Sequence, residues 1–360
     1  MTTPLISHPY AMYTAIHAQP REVQRVSRSR RDQLQKLLSK VRVSDLTTFI
    51  GIGSSLHAAQ IGAALWREAL PGKRVSSAHS FDLAIDPGPI VTDGARHTVI
   101  CFSHRGTKRY SLRALALAKE LGAYTCLITG ENVDIPLEVS DIHITTVPQE
   151  ISSAHTVSVL GSIALITTLI ELLTKDARAT LISQLQEAIS HALTQERLIQ
   201  EIANRISPRV RNIWLVGAGS DVYVAKEIAL KIKETSYIPA EGMSVEEMLH
   251  GPFQCVEPED TIVALNTQES APERFNALLA MSNVIGVPVI TLSSIDGPYL
   301  DNSIGGITVK TGKTKTIRSV CSLVALQLLT YFLATARGKN PDSFRLDDRR
   351  FKEALSLVSL

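Results

Sequence analysis

Short runs of consecutive apolar and β-branched residues alternate along this chain with longer segments whose apolar positions recur every three to four residues. The first pattern belongs to strands buried on both faces, the second to amphipathic helices. In order it predicts a strand over 47–52, a helix over 56–70, a strand over 98–102, a helix over 110–121, strands over 124–129 and 142–147, and a helix over 156–173. The succession then returns: strand 213–216, helix 222–233, strand 261–265, helix 272–284, strands 287–292 and 304–309, and helix 317–337. Residues 13–41 place Ile16, Val23, Val26, Leu34, Leu37 and Leu38 at helical spacing, and 176–206 read as a long polar helical linker. The chain is thus predicted to be α/β, with parallel sheets covered by helices on both faces. Its expected parts are N-terminal helices (1–42), a first domain (43–175), a helical linker (176–207), a second domain (208–338) and a tail (339–360).

The two halves share a local grammar 166 positions apart. Thr48-Phe49-Ile50-Gly51-Ile52-Gly53-Ser54-Ser55 and Trp214-Leu215-Val216-Gly217-Ala218-Gly219-Ser220 each read as a buried strand, a glycine turn and a helix start. Such a turn is suited to an anion. A dinucleotide fingerprint needs a third glycine, but Leu56 and Val222 stand there, and no acidic residue closes an obvious second strand. No cofactor is expected.

Composition narrows the classes further. With 37 basic against 35 acidic residues and no basic block, a nucleic-acid footprint is not expected. The four cysteines (Cys101, Cys126, Cys255, Cys321) lack metal or CxxC spacing and read as reduced thiols of a cytoplasmic protein, so no metal is expected. The first ten residues lack the basic and apolar regions of a secretory leader. The longest apolar run, 157–173, is broken by hydroxyl residues and Glu171, and reads as a buried helix rather than a membrane span.

In the first half, hydroxyl residues gather where parallel strands should end. They are Ser54 and Ser55 beside Gly53, Ser103 and Thr107, and Ser152, Ser153 and Thr156. Hydroxyls and free N–H groups at helix starts hold a phosphate monoester. Ser103-His104-Arg105-Gly106-Thr107-Lys108 adds two cations and a glycine, and is the expected phosphate loop; any one of these positions alone would pass for an ordinary cap or loop residue.

In the second half, Glu227, Lys231 and Glu234 fall on one helix face. Alone they read as an exposed salt-bridged stripe. The following residues change this reading: Lys231-Ile232-Lys233-Glu234-Thr235-Ser236-Tyr237-Ile238-Pro239-Ala240-Glu241 and Glu247-Met248-Leu249-His250-Gly251-Pro252. Together with Tyr13–Pro20, Ala118–Gly122 and Ala325–Tyr331 they resemble the isomerase domain of glucosamine-6-phosphate synthase, within the sugar isomerase (SIS) domain family. The resemblance implies two tandem SIS domains, each a flavodoxin-like, doubly wound sheet of five parallel strands, and a sugar-phosphate ligand. It implies that Glu234 moves a proton between C1 and C2 and that His250 opens the sugar ring, contributed in trans within a homodimer. Lys231 would tune Glu234 or steady the enediolate charge.

The chain departs from the family in four places. The phosphate loop Ser-x-Ser-Gly-Glu-Thr is Ser103-His104-Arg105-Gly106-Thr107-Lys108 here, and Ala-Ser-Thr-Lys is Ala154-His155-Thr156-Val157. The family's Schiff-base lysine falls at Arg349, which cannot form an imine, so Arg349, with Arg345, is expected to close over the ligand instead. Nothing resembles a glutaminase domain, so glutamine is not an expected nitrogen source for this chain alone. The expected activity is aldose–ketose isomerisation of a hexose phosphate or amino-sugar phosphate through a cis-enediol or enediolamine, with deamination similar to glucosamine-6-phosphate deaminase or deglycase. The alternatives are a non-catalytic sugar-phosphate-binding regulator and an ammonia-dependent aminating enzyme acting on fructose 6-phosphate.

Overall fold

Strand residues such as Phe49, Ile50, Val99, Ile100, Leu127, Leu215, Val263 and Ile290 have almost no contact with water, which is why their segments are apolar without alternation. The computed structural model describes residues 7–88, 96–174, 181–294, 304–309 and 314–358. The first half comprises α1 (Ala11–Ser29), α2 (Arg31–Val43), β1 (Leu46–Gly51), α3 (Ser54–Ala69), β2 (Val75–His79), α4 (Ser80–Ile85), β3 (His97–Phe102), α5 (Arg109–Glu120), β4 (Tyr124–Thr129), β5 (Ile142–Thr145) and α6 (Val157–Thr174). Then come α7 (Leu181–Thr194), α8 (Glu196–Ile206), β6 (Ile213–Gly217), α9 (Asp221–Ser236), β7 (Ala240–Ser244), α10 (Val245–Leu249), β8 (Thr261–Asn266), α11 (Pro272–Ile285), β9 (Val289–Ser294), β10 (Gly305–Val309), α12 (Lys315–Ala336) and α13 (Arg349–Ser356). Of the expected linker, residues 176–180 lie outside the described residues, and 181–206 form two helices that meet at Gln195.

Both sheets have five strands, all parallel, in the orders β2-β1-β3-β4-β5 and β10-β9-β8-β6-β7. Each is the flavodoxin-like order, and the expected fold class stands. The apolar pattern reveals four strands per half; the fifth, β2 or β7, is an edge strand in each sheet. Val75-Ser76-Ser77-Ala78-His79 is only half-buried throughout, and Ala240-Glu241-Gly242-Met243-Ser244 contains a glutamate and a glycine, so neither forms an apolar run.

Among the described residues the chain forms two compact units. The first contains residues 18–150 and 157–186, the second the residues up to 17, 151–156 and those from 187 onward. In the first unit Ile50, Val99, Leu115 and Leu127 share a core, and in the second Trp214, Val216, Ile262, Phe275 and Leu278 share another. Helices α6 and α12 are long and apolar enough to cross a bilayer by composition, yet 72% and 89% of their apolar windows are buried inside the protein. They are core helices, as read for 157–173.

Candidate functional site

At the end of β1, a side chain at Gly51 would strike the backbone of Ser55 at 2.5 Å, so glycine lets α3 start directly against the strand. Gly53 follows with φ +58°, and Ser54 and Ser55 open the helix. Gly217 and Gly219 repeat this geometry after β6, with φ +59° at Gly219. The internal repeat is therefore structural as well as sequential.

Adjacent β1 and β3 flank the point where the strand order reverses, so the Ser54-Ser55 turn and the Ser103–Thr107 loop stand together at the carboxyl edge of the first sheet. Open α/β sheets bind ligands there. The Ser103 hydroxyl is buried and has no hydrogen-bond partner among the described residues, which leaves it available to a ligand. Gly106 donates to the Ser103 carbonyl at 2.7 Å and has φ +68°, with Val133 only 2.4 Å from where a side chain would begin. Arg105 and Thr107 are exposed. His104 instead lies against Gly130, whose missing side chain would touch the imidazole at 2.5 Å. Burial, and then the charge of Arg105, push the His104 pKa down to about 4, so it is neutral at pH 7 and adds no charge to the loop.

The equivalent crevice in the second unit is filled by its own side chains. Gln268 covers Gly219 at 2.5 Å, and its amide donates to Ser220 and, at 2.9 Å, to Ser319. Asp221, in the repeat position of Ser55, is fully buried and accepts from the Thr267 N–H at 2.9 Å and hydroxyl at 2.7 Å. Burial pushes its pKa up to about 6. Of the two glycine turns, only the first presents an open hydroxyl cluster without a carboxylate. Ser55 against Asp221 was the sequence signal for this difference.

Helix α9 packs hard on β7, because a side chain at Gly242 would meet the backbone of Ala225 at 2.4 Å. Helix α12 also packs along α9, and the charged side chains are buried on the face turned away from Gly242. Glu227 and Lys231 are 0% and 1% exposed, and Glu234 is 18% exposed. The Lys231 ammonium pairs with the Glu234 carboxylate and lies 3.9 Å from Glu227. The exposed stripe read from the pattern is thereby corrected: only the last carboxylate reaches solvent. Glu227, which the sequence placed on this face without a role, is the buried base of the triad. The strong desolvation cost of such a group of charges makes it an unusual choice for mere stability.

Glu234 opens into a cavity of about 350 Å³ lined by Lys233, Tyr237, Ile238 and Pro239 from the end of α9, and by Phe344, Arg345 and Phe351 from the tail. Six non-glycine residues among those described have positive φ, and three of them (Tyr237, Phe344, Arg345) line this cavity. Left-handed backbone at such residues costs about 1–3 kcal/mol each and gathers at functional sites. The tail is pinned here by Asp342, whose carboxylate accepts from the Ala11 and Met12 N–H groups at 2.8 and 2.9 Å and whose carbonyl accepts from Ser153 N–H at 3.3 Å. Ser343 lies 3.5 Å from the Tyr237 hydroxyl. Ser152, its hydroxyl accepting from Ala154 N–H at 3.2 Å, and Ser153 therefore belong with the second unit's tail.

Arg349 stands outside the cavity, 89% exposed and paired with Glu353 at 2.7 Å. His250 ends α10, is 72% exposed and bonds Glu246 at 2.8 Å. Because α9 returns to the amino edge of the sheet and β7 crosses to the carboxyl edge before α10, Glu234 and His250 lie at opposite edges. One chain does not bring them together. Among the described residues no three His, Cys, Asp or Glu side chains converge as metal ligands.

The SIS domain model matches residues 45–174 and 209–336. A glutamine–fructose-6-phosphate aminotransferase (isomerizing) of Thermococcus kodakarensis is 28% identical over 351 residues, covering 94% of this chain and 57% of the relative. The chain thus spans little more than half the length of that curated relative. Among solved structures, tagatose-6-phosphate ketose/aldose isomerase from Escherichia coli superposes with a TM-score of 0.79 at 19% identity, covering 95% of this chain and 97% of the other. Glucosamine-6-phosphate deaminase from Thermotoga maritima does so with 0.73 at 20% identity, covering 92% and 97%. With the family model matching both repeats across well over half of its length, the chain belongs to the SIS domain family.

Proposed function

We propose that this protein is a phosphosugar aldose–ketose isomerase or deaminase of the cytoplasm that acts through a cis-enediol or enediolamine. The observation that carries the reading is Glu234, a carboxylate at the mouth of a cavity whose ammonium partner Lys231 is buried. A base so placed takes the proton from one carbon of the open-chain sugar and returns it to the next, while Lys231 holds the carboxylate in one orientation. Ser54, Ser55, Ser103, Arg105 and Thr107 hold the phosphate, with Gly53 allowing close backbone approach. A charged imidazole is not needed in this loop, since Arg105 supplies a permanent cation beside the neutral His104. The names of the relatives, an aminotransferase acting on fructose 6-phosphate, a ketose/aldose isomerase and a deaminase, share this proton transfer and support the reaction class.

His250 opens the ring from a second copy of the chain, a reading supported by its place at the sheet edge opposite Glu234. The test is exchange of solvent deuterium into C1 or C2 of fructose 6-phosphate or glucosamine 6-phosphate. Glu234→Gln should abolish exchange and preserve the rise in melting temperature that either sugar phosphate produces. Exchange at the wild-type rate by that variant would refute the assignment.

A further inference from the structure

We infer that Arg345 is a catalytic residue, whose guanidinium takes up the negative charge that forms on the sugar oxygens as Glu234 removes the proton; this rests on the isomerase reading above. Arg345 lines the same cavity as Glu234. Its guanidinium lies 3.8 Å from the centre of the Phe351 ring and 5.1 Å from that of Tyr237, so two aromatic walls hold it. It makes no side-chain hydrogen bond among the described residues, and its nearest carboxylate, Asp348, is 4.0 Å away and bonded more closely to Arg350 at 2.9 Å. An arginine is usually found with its donors engaged; here the fork is fixed in place by ring faces and its N–H groups remain open. The backbone that presents it is left-handed at both Phe344 (φ +50°) and Arg345 (φ +59°), a conformation that neither side chain favours.

These features together supply what the reaction needs opposite its base. Glu234 takes the proton from carbon, the C–H electron pair becomes the C=C bond of the enediol, and the carbonyl π pair moves onto oxygen. A permanent cation with directed donors stabilises that oxygen until Glu234 returns the proton to the neighbouring carbon, while the proton of the adjacent hydroxyl passes to this oxygen and the C=C pair is replaced by the new C=O of the isomer. No oxidant or co-reactant is required.

The experiment measures solvent-deuterium exchange into fructose 6-phosphate by the wild-type protein and by Arg345→Ala, Arg345→Lys and Arg197→Gln, with melting temperature recorded for each. Arg345→Ala should lower kcat by about 100-fold or more, the usual effect of removing one oxyanion donor, with KM changed less than about threefold. Arg345→Lys should recover about tenfold of that loss, as a cation without the fork. Guanidinium ion at non-denaturing concentration should partly restore exchange to Arg345→Ala, which a structural role would not predict. Arg197→Gln, an equal loss of charge at a position 93% exposed on α8, should behave as wild type. If Arg345→Ala exchanges with unchanged kcat, or its loss falls wholly on KM, the inference fails while the isomerase reading stands. Absence of exchange in the wild-type protein with both sugar phosphates named above would remove the reading and the inference together.

Discussion

Lys231 is almost wholly buried between two carboxylates, and the site is sensitive to any change in that count. Lys231→Met takes the ammonium away from the buried Glu227 and from Glu234 together, which should cost about 3–5 kcal/mol in urea unfolding. Adding Glu227→Gln should recover part of that loss. Asp221 poses a different problem, since its pKa rises from 3.8 to about 6 on folding. The folded state then binds the proton more tightly than the unfolded chain, so this group's contribution is fully present below pH 3.8 and is lost as pH rises through about 6. At 1.36 kcal/mol per unit, the window carries on the order of 3 kcal/mol. Asp221→Asn should therefore lose, relative to wild type, the gain in stability on acidification between these pH values, as read from melts at each pH.

Among the elements, the buried strands were legible because both faces of each sheet are covered and apolar side chains must fill both. The edge strands β2 and β7 escaped the pattern, having water or a helix backbone on one side. Gly242 lets α9 seat on β7, while Glu227 and Lys231 are buried on the other face of α9, in a helix that α12 also packs against, and the pattern shows neither packing partner. Charged residues at helical spacing look alike whether their face meets solvent or a strand. Gly242→Ala should thus destabilise the fold by about 1–3 kcal/mol, since the obstructing atoms are backbone. Gly72→Ala, which meets nothing within 4 Å, should be nearly neutral in the same denaturation assay. The cavity wall was equally hidden, for Phe344 and Arg345 adopt a glycine-like backbone that no residue type at those positions announces.

For the whole molecule, two matching sheets do not carry two matching crevices. The first unit leaves its switch-point crevice open with a bare hydroxyl at Ser103, and the second closes its own with Gln268 and Asp221. A single plan thus yields one open crevice and one filled one, a difference visible in the exchange of Ser55 for Asp221 at equivalent places. If His250 serves the Glu234 of a second copy, neither Glu234→Gln nor His250→Ala protein should turn over sugar phosphate alone. Mixed under conditions that exchange subunits, the two inactive proteins should regain about a quarter of wild-type turnover per total site, since half the dimers are hybrids with one intact site each. Failure of the mixture to gain activity would place ring opening within one chain. The tie made by Asp342 has a further consequence for biosynthesis. It joins the first turn of α1 to the cavity wall, although some 330 residues separate them. A ribosome releases both sheets before it delivers this carboxylate, Arg345 and Phe351. This cavity wall is thus joined to α1 only after both sheets have been made, and a chain cut short before Asp342 would lack that wall.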